Sequence, residues 1–353
     1  MHPVMRAAPI AMIVLGLATI YAGGLWTWTF PIISFVLVPL LDQLSPGSTE
    51  NPTASEEEAR LADPTYDVLI VATLPLHLTM LSYGIWKVTH GMLSPAAAAG
   101  AIASMGLSCG VYGINVGHEL GHRAGKGWQR LAWICLGSSL YLHFFVEHNR
   151  GHHRRVATPD DPASARRGET VYAFWVRSIY GSLVGAWELE ATRLRNLGRS
   201  AWSVQNQTLM FFAAQAVAMA LVGALAGPAA LACWMVCALL GALLLETVNY
   251  LEHYGLARDR AAHGGWERVR PEHSWNSNRT AGRVLLYDLT RHSDHHAFAT
   301  RPYPVLRHHD EAPELPAGYP AMILLSLVPP LFFAVMHARI DQWRARPLAA
   351  SLA

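Results

Sequence analysis

Long apolar runs alternate with polar stretches along the whole chain. The runs lie at 7–41, 66–89, 94–117, 128–146, 205–252 and 319–338. A helix needs about 17–25 residues to cross the hydrocarbon core of a bilayer. The first and fifth runs are long enough for two helices each, and Gly23-Gly24 and Gly227-Pro228 divide them. The pattern therefore predicts membrane-spanning helices joined by short turns.

We predict an all-α integral membrane protein, with six transmembrane helices in three hairpins and one domain over residues 1–353. The spans cover about 7–22, 25–41, 66–87, 95–117, 206–226 and 229–251. The remaining apolar runs, 128–146 and 319–338, are interpreted as re-entrant or interfacial helices. A full span at 128–146 would place the polar, histidine-rich stretches before and after it on opposite sides of the membrane.

The distribution of basic residues predicts the orientation. With the N-terminus in the cytoplasm, Lys87 is the one lysine or arginine in the outer turns. Residues 118–200 and 253–318 carry most of the 27 lysines and arginines. Cytoplasmic loops carry such an excess. We therefore expect a multi-pass protein of a bacterial-type inner membrane, with a cytoplasmic cap. Only 15% of the residues are charged, as a membrane protein requires, and a net charge of +2 gives no sign of nucleic-acid binding.

Histidines dominate the candidate chemistry. Nine of the eighteen fall into four tight groups, each following an apolar or amphipathic segment at the cytoplasmic side: His118 and His122; His148, His152 and His153; His253; His292, His295 and His296. So many imidazoles without a metal would repel one another when protonated. Nine nitrogens exceed what one four-coordinate zinc can use, so we predict two metal ions. Imidazole binds iron, copper and zinc alike, so the spacing does not identify the metal.

Polar residues near these groups are expected to support the ligands. Metal-bound imidazoles usually donate their second N–H to a carboxylate or another acceptor. We predict this role for five residues: Glu119, Glu246, Asn249, Asp288 and Asp294. His143 and His273 are the other histidines expected in such a role. The sequence Asp160-Asp161-Pro162 is interpreted as a turn.

Two other metal chemistries fit the sequence less well. The four cysteines contain no CxxC pair, so thiolate zinc and rubredoxin-type iron are not expected within these residues. His118-Glu-Leu-Gly-His122 is an HExxH sequence, in which two histidines bind zinc and the glutamate acts as base in metalloproteases. An intramembrane zinc protease is therefore an alternative, but it would leave most of the clustered histidines without a purpose.

Longer strings carry a family resemblance. The HxxxH, HxxxHH and HxxHH spacings resemble those of the membrane fatty-acid desaturase and hydroxylase superfamily. Within it, the strings at 115–123, 143–162, 249–255, 273–278 and 289–296 resemble the alkane 1-monooxygenase family, including the HYG element after Glu252. The resemblance runs from about residue 110 to 345, and Pro39-Leu-Leu-Asp42 adds a local match.

The resemblance implies a six-span fold and a non-haem di-iron centre held by the nine histidines, with no catalytic residues beyond the ligands. It also implies molecular oxygen and reduced rubredoxin as co-substrates. We expect a separate rubredoxin, reduced by an NADH-dependent rubredoxin reductase, to dock on the basic cytoplasmic face. The substrate would be an alkane that enters from the membrane lipid.

The expected reaction is terminal hydroxylation of medium- to long-chain n-alkanes to 1-alkanols. In this family the second span helps to line the substrate channel. Ser34, five residues before Pro39, is a small side chain that would leave the channel long. The alternatives within the superfamily are a xylene-type hydroxylase and an acyl-lipid hydroxylase, which share the histidine motifs.

Overall fold

The fold is helical throughout the residues that the computed structural model describes, which are 3–45, 47–262 and 264–346. These residues contain no β-strand and only two isolated bridges, Arg260 with Trp266 and Asn276 with Glu314. The predicted all-α class is therefore confirmed. His2 and His263 lie outside the described residues.

The helices of the first half of the chain follow a short turn at Pro3–Arg6. They are α1 (Ala8–Ala22), α2 (Gly24–Leu44), α3 (Ala54–Ala62), α4 (Thr65–Thr89), α5 (Pro95–His122), α6 (Lys126–Ser138) and α7 (143–155). The second half contains α8 (Val171–Asn196), α9 (Gln207–Ala226), α10 (Pro228–His253), α11 (Thr280–Leu285), α12 (His292–Ala297), α13 (Tyr319–Ser326) and α14 (Pro329–Arg344).

Among the described residues, five helices are long and apolar enough to cross a membrane: α2, α4, α5, α9 and α10. Helix α1 has 15 residues. At 1.5 Å per residue it reaches about 22 Å, which is shorter than the roughly 30 Å hydrocarbon core. The structure therefore gives five candidate spans and one short apolar helix where the sequence predicted six spans.

Gly23 follows the last residue of helix α1, and the buried amine of Lys87 contacts the same end of the helix. Gly23 has φ of 75°, a conformation that L-residues with a side chain rarely adopt. The buried Lys87 amine from α4 donates to the carbonyl oxygens of Ile20 at 3.0 Å and Tyr21 at 2.8 Å. A cation is favourable at a helix C-terminus, where carbonyl groups are left unpaired. Lys87 thus joins α1 to α4 at one end of the bundle.

Helices α5 and α10 cross at a pair of glycines. A Cβ atom on Gly241 would lie only 2.8 Å from the Gly110 nitrogen. Small residues at a crossing let two membrane helices approach closely. These helices end at His122 and His253, so the crossing helps to bring two histidine motifs together.

Three helices contain π-helical turns, at Ile33–Leu37 in α2, Cys109–Asn115 in α5 and His148–His152 in α7. Such turns are rare and often lie at functional sites, because the extra residue changes which side chains share a helix face. Each turn borders the site described below.

The two shorter apolar runs form broken helices. Residues 128–146 comprise most of α6, a turn in which Leu140 has φ of 52°, and the start of α7. Residues 319–338 belong to the hairpin of α13 and α14, which begins at Tyr319. Leu324, Leu331 and Val335 of this hairpin are exposed apolar side chains.

Candidate metal centre and adjoining cavity

The structure brings all nine predicted histidines together in two groups. Group A consists of His118, His122, His148, His153 and His295, and group B consists of His152, His253, His292 and His296. Within each group the ligand nitrogens all lie within 4.8 Å of one another. The donors therefore suffice for two metal ions, one in each group.

Helix geometry decides which histidine joins which group. In a regular α-helix His148 and His152 would share a face, since residues four apart lie one above the other. The π turn at His148–His152 instead places His148 with His153 in group A, and His152 in group B.

Helix α12 divides its histidines by ordinary α-helical geometry. His292 and His296 are four residues apart and both belong to group B, while His295 belongs to group A. Two of the motifs thus contribute to both groups, which ties the two sites to one another.

The ring nitrogens face each other at distances that indicate shared metals. Five Nε2–Nε2 pairs lie 2.8–3.2 Å apart: 118–295, 122–148, 148–153, 152–296 and 292–296. Nitrogens bound about 2.0–2.1 Å from one metal at adjacent positions lie roughly 3 Å apart. The buried His253 Nε2 has no hydrogen-bond partner among the described residues, although buried polar atoms normally have one. The nitrogens therefore fit metal ions better than a hydrogen-bonded network alone.

Burial favours the neutral imidazoles that metals bind. Among the histidines outside the candidate spans, desolvation lowers the pKa of five well below its usual value: His148, His153, His292, His295 and His296. At His152 burial also acts to lower the pKa, but the Asp161 carboxylate 2.9 Å away, together with Glu147 and Glu246, outweighs it and the pKa is raised.

Carboxylates contact group B directly. Asp161 Oδ2 lies 2.9 Å from His152 Nδ1 and accepts a hydrogen bond from the Ser164 hydroxyl at 2.6 Å. Glu252 Oε2 lies 3.1 Å from His292 Nε2. Sequence reasoning missed both acidic residues. The signals for them in the sequence were an aspartate in a turn nine residues after His152, and a glutamate next to His253.

The polar residues predicted to support the ligands have other partners. Glu119 pairs with Arg123 at 3.1 Å and accepts from the Tyr303 amide at 3.4 Å. Glu246 accepts from the Tyr141 hydroxyl at 2.6 Å and from Asn249 at 3.4 Å. Their support of the ligands stays a prediction.

The aspartates of the last motif bind basic side chains. Asp288 accepts from Arg283 at 2.8 Å, and Asp294 pairs with His309 at 2.7 Å and with Arg301. These bonds fix the segments on either side of α12. They place no carboxylate oxygen against a ring of either histidine group.

The two further histidines have side-chain partners outside the two groups, and their support of the ligands stays a prediction. His273 lies 3.1 Å from Glu267 Oε1 and accepts from the Arg270 amide at 3.0 Å. The His143 ring packs against Tyr141 at a centroid distance of 4.5 Å, and its buried Nε2 lacks a partner among the described residues.

A cavity of about 100 Å³ with largely apolar walls adjoins group B. Helices α2, α5, α10, α11 and α13 contribute to its walls. Its polar lining includes Ser34, Asn115, Glu252, Thr290 and Tyr319. Since Glu252 lines the cavity and also contacts His292, it lies between the cavity and group B.

Comparison with known proteins agrees with this site. The fatty acid desaturase family model matches residues 93–326, so the chain belongs to the fatty acid desaturase family.

Within it the chain belongs with the alkane 1-monooxygenases. It is 40% identical to alkane 1-monooxygenase of Acinetobacter baylyi, over 88% of this chain and 76% of that protein. It is 39% identical to alkane 1-monooxygenase 2 of Pseudomonas aeruginosa, over 91% and 85%. A xylene/toluene monooxygenase hydroxylase component of Pseudomonas putida is 30% identical, over 94% and 87%. The family predicted from the histidine motifs is confirmed.

Proposed function

We propose that this protein hydroxylates the terminal carbon of medium- to long-chain n-alkanes, using molecular oxygen and electrons from reduced rubredoxin. The observation that carries the proposal is the apolar cavity that ends beside group B. An alkane offers no group for hydrogen bonding or ion pairing, so a site for it must select by shape. The names of the relatives support this substrate class.

Two iron ions held by the two histidine groups would complete the centre. An unactivated C–H bond cannot be broken by acid–base chemistry, and bound iron supplies the activation of oxygen that the reaction needs. The donor set alone also fits zinc or copper, so iron rests on the family.

The residues around the centre orient the ligands and exclude water. The Asp161 carboxylate holds the Nδ1 side of His152, which leaves Nε2 for a metal. Glu252 contacts His292 with one oxygen and accepts from the Tyr319 hydroxyl with the other, at 3.0 Å. The apolar walls keep water from the reacting carbon and admit a hydrocarbon chain from the bilayer.

We also propose that α1 is the sixth, short span and that the histidine groups lie on the cytoplasmic side. Lys87 is then the one lysine or arginine in the outer turns, and its amine is stabilised by the C-terminal carbonyls of α1. Rubredoxin, reduced by an NADH-dependent reductase, would approach the basic cytoplasmic face, where opposite charges steer an acidic protein.

The direct test is hydroxylation of octane by purified protein. The mixture contains ferrous iron, rubredoxin, rubredoxin reductase and NADH, and products are measured by gas chromatography. We expect 1-octanol as the main product, and none from a control lacking rubredoxin. Hydroxylation of xylene but not octane by the same preparation would overturn the alkane assignment.

A further inference from the structure

Asp42 is a buried carboxylate at the C-terminal end of α2 that the proposed chemistry leaves unexplained. Its side chain is 0% exposed. Oδ1 accepts from the amides of Ala281 at 2.9 Å and Gly282 at 3.3 Å, both in α11. Oδ2 is buried without a hydrogen-bond partner among the described residues. Burying a charge costs free energy, so the position of this carboxylate is energetically unfavourable.

Two glycines make room for the unpartnered oxygen. A Cβ atom on Gly318 would lie 2.3 Å from Asp42 Oδ2, and one on Gly282 would lie 3.2 Å from it. Gly318 is the residue immediately before α13. The Asp42 carboxylate is therefore packed against the beginnings of both α11 and α13.

Three helices that line the cavity meet at this carboxylate. Helix α2 contributes Ser34 and Val38, α11 contributes Gly282 and Leu285, and α13 contributes Tyr319. The Asp42 side chain extends from the first wall, accepts hydrogen bonds from the second and contacts the residue that begins the third. A change at this carboxylate must shift the walls relative to one another.

The same contacts extend to the histidines. Tyr319, the residue after Gly318, donates to Glu252, and Glu252 lies 3.1 Å from His292 Nε2. The Arg279 side chain donates to the Asp42 carbonyl oxygen at 3.1 Å, which further fastens the end of α2 to the segment that leads to His292. The position of the walls is thus tied to the position of group B.

We propose that Asp42 is a positioning residue that determines which carbon of the substrate is oxidised. The inference rests on the proposed function. The cavity is lined largely by apolar groups, so the depth to which a chain end enters depends on where the walls stand. Because the terminal and penultimate carbons are one bond apart, a wall shift of that size exchanges one for the other. Displacements of about 1 Å are known to alter enzyme reactions strongly.

The test is a double-substitution cycle on the Asp42–Gly318 contact, with the ratio of 2-octanol to 1-octanol as the readout. Asp42→Ala loosens the junction, and Gly318→Ala forces the carboxylate and α13 apart. Each is expected to raise the ratio at least fivefold. In the double variant the methyl group of Ala at 318 occupies the space left by the carboxylate, so the ratio should return towards that of the unaltered protein.

Two further variants keep the test decisive. Asp42→Asn preserves the acceptor for Ala281 and Gly282, so it should raise the ratio by less than Asp42→Ala. It supplies the readout if the alanine variant does not fold. Asp310→Ala is the control, because its side chain is fully exposed at 101% and the ratio should not move. Iron content and thermal unfolding are measured for every variant.

The outcomes separate the two proposals. Unchanged ratios in active Asp42 and Gly318 variants, with only lower thermal stability, would overturn the positioning role while octane hydroxylation stands. Failure of the unaltered, iron-loaded protein to make any octanol would overturn the proposed function and the role of Asp42 with it. A raised ratio in both single variants that is reversed in the double variant would support the role.

Discussion

The two histidine groups consist of the same side chains but have different surroundings. In group A, His122 and His153 are partly exposed, whereas all four members of group B are buried. Group B contacts the carboxylates of Asp161 and Glu252. No ion pair between a carboxylate and a group A histidine is found in the residues that the structure describes.

This difference indicates a division of labour. Group B is next to the apolar cavity, through Glu252. Group A has more donors and more access to solvent. We infer that the substrate reaches the centre from the side of group B, and that group A lies nearer the proposed electron donor, rubredoxin.

Removal of one ligand from each group is expected to have the largest effects on 1-octanol formation and bound iron. His253→Ala leaves three nitrogens in group B, and His153→Ala leaves four in group A. Since loss of a residue that only supports a ligand already costs about 10–100-fold, His253→Ala should reduce 1-octanol formation by at least about 100-fold. His153→Ala should retain more bound iron. Iron per chain is measured by elemental analysis, and equal iron losses in the two variants would contradict the proposed difference between the groups.

Asp161→Asn should weaken metal binding by group B without removing a ligand. The substitution takes the negative charge away from His152 Nδ1, and we expect a loss of about 10–100-fold in iron affinity or activity. The adjacent, exposed Asp160 provides the matched control, since Asp160→Asn should leave both unchanged. Similar effects of the two substitutions would show that the Asp161–His152 contact is unimportant.

Ser34→Trp should change the range of substrates. Ser34 lines the cavity, so an indole there shortens it, and activity on hexadecane should fall about tenfold while octane is spared. Val36→Trp places the same side chain on an exposed site of α2 and serves as the control. An unchanged chain-length profile for Ser34→Trp would exclude Ser34 from the substrate path.

Glu119→Gln should have the smallest effect. Glu119 lies between two group A ligands in sequence, but it binds Arg123 and the Tyr303 amide. Because glutamine can still accept from Tyr303, we expect activity to fall by less than about threefold. A loss as large as that of Asp161→Asn would contradict this expectation and indicate that Glu119 supports the metal centre.

Sequence spacing was sufficient to select the nine histidines, because imidazoles clustered near helix ends are typical of metal sites. It could not divide them between two groups, since the π turn that separates His148 from His152 has no pattern of its own. Asp161 and Glu252 were missed for a related reason. A carboxylate contacts a ring because the fold brings them together, as the turn after α7 does for Asp161.

The membrane topology was predicted less completely. Hydropathy placed the first apolar helix at about 7–22, close to the observed Ala8–Ala22, but it did not show that a helix of 15 residues is short for a membrane span. The cavity could not be predicted beyond Ser34, because its walls come from helices far apart in the chain. Glu252 and Tyr319 reach it from α10 and α13.

The most direct test of the two-metal centre is to measure octane hydroxylation as metal-free protein is titrated with ferrous iron in the presence of rubredoxin, its reductase and NADH. We predict that 1-octanol formation rises with iron and saturates at two irons per chain, one for each histidine group. Saturation at one metal ion, or binding of a single zinc with no octane oxidation at any iron content, would contradict it.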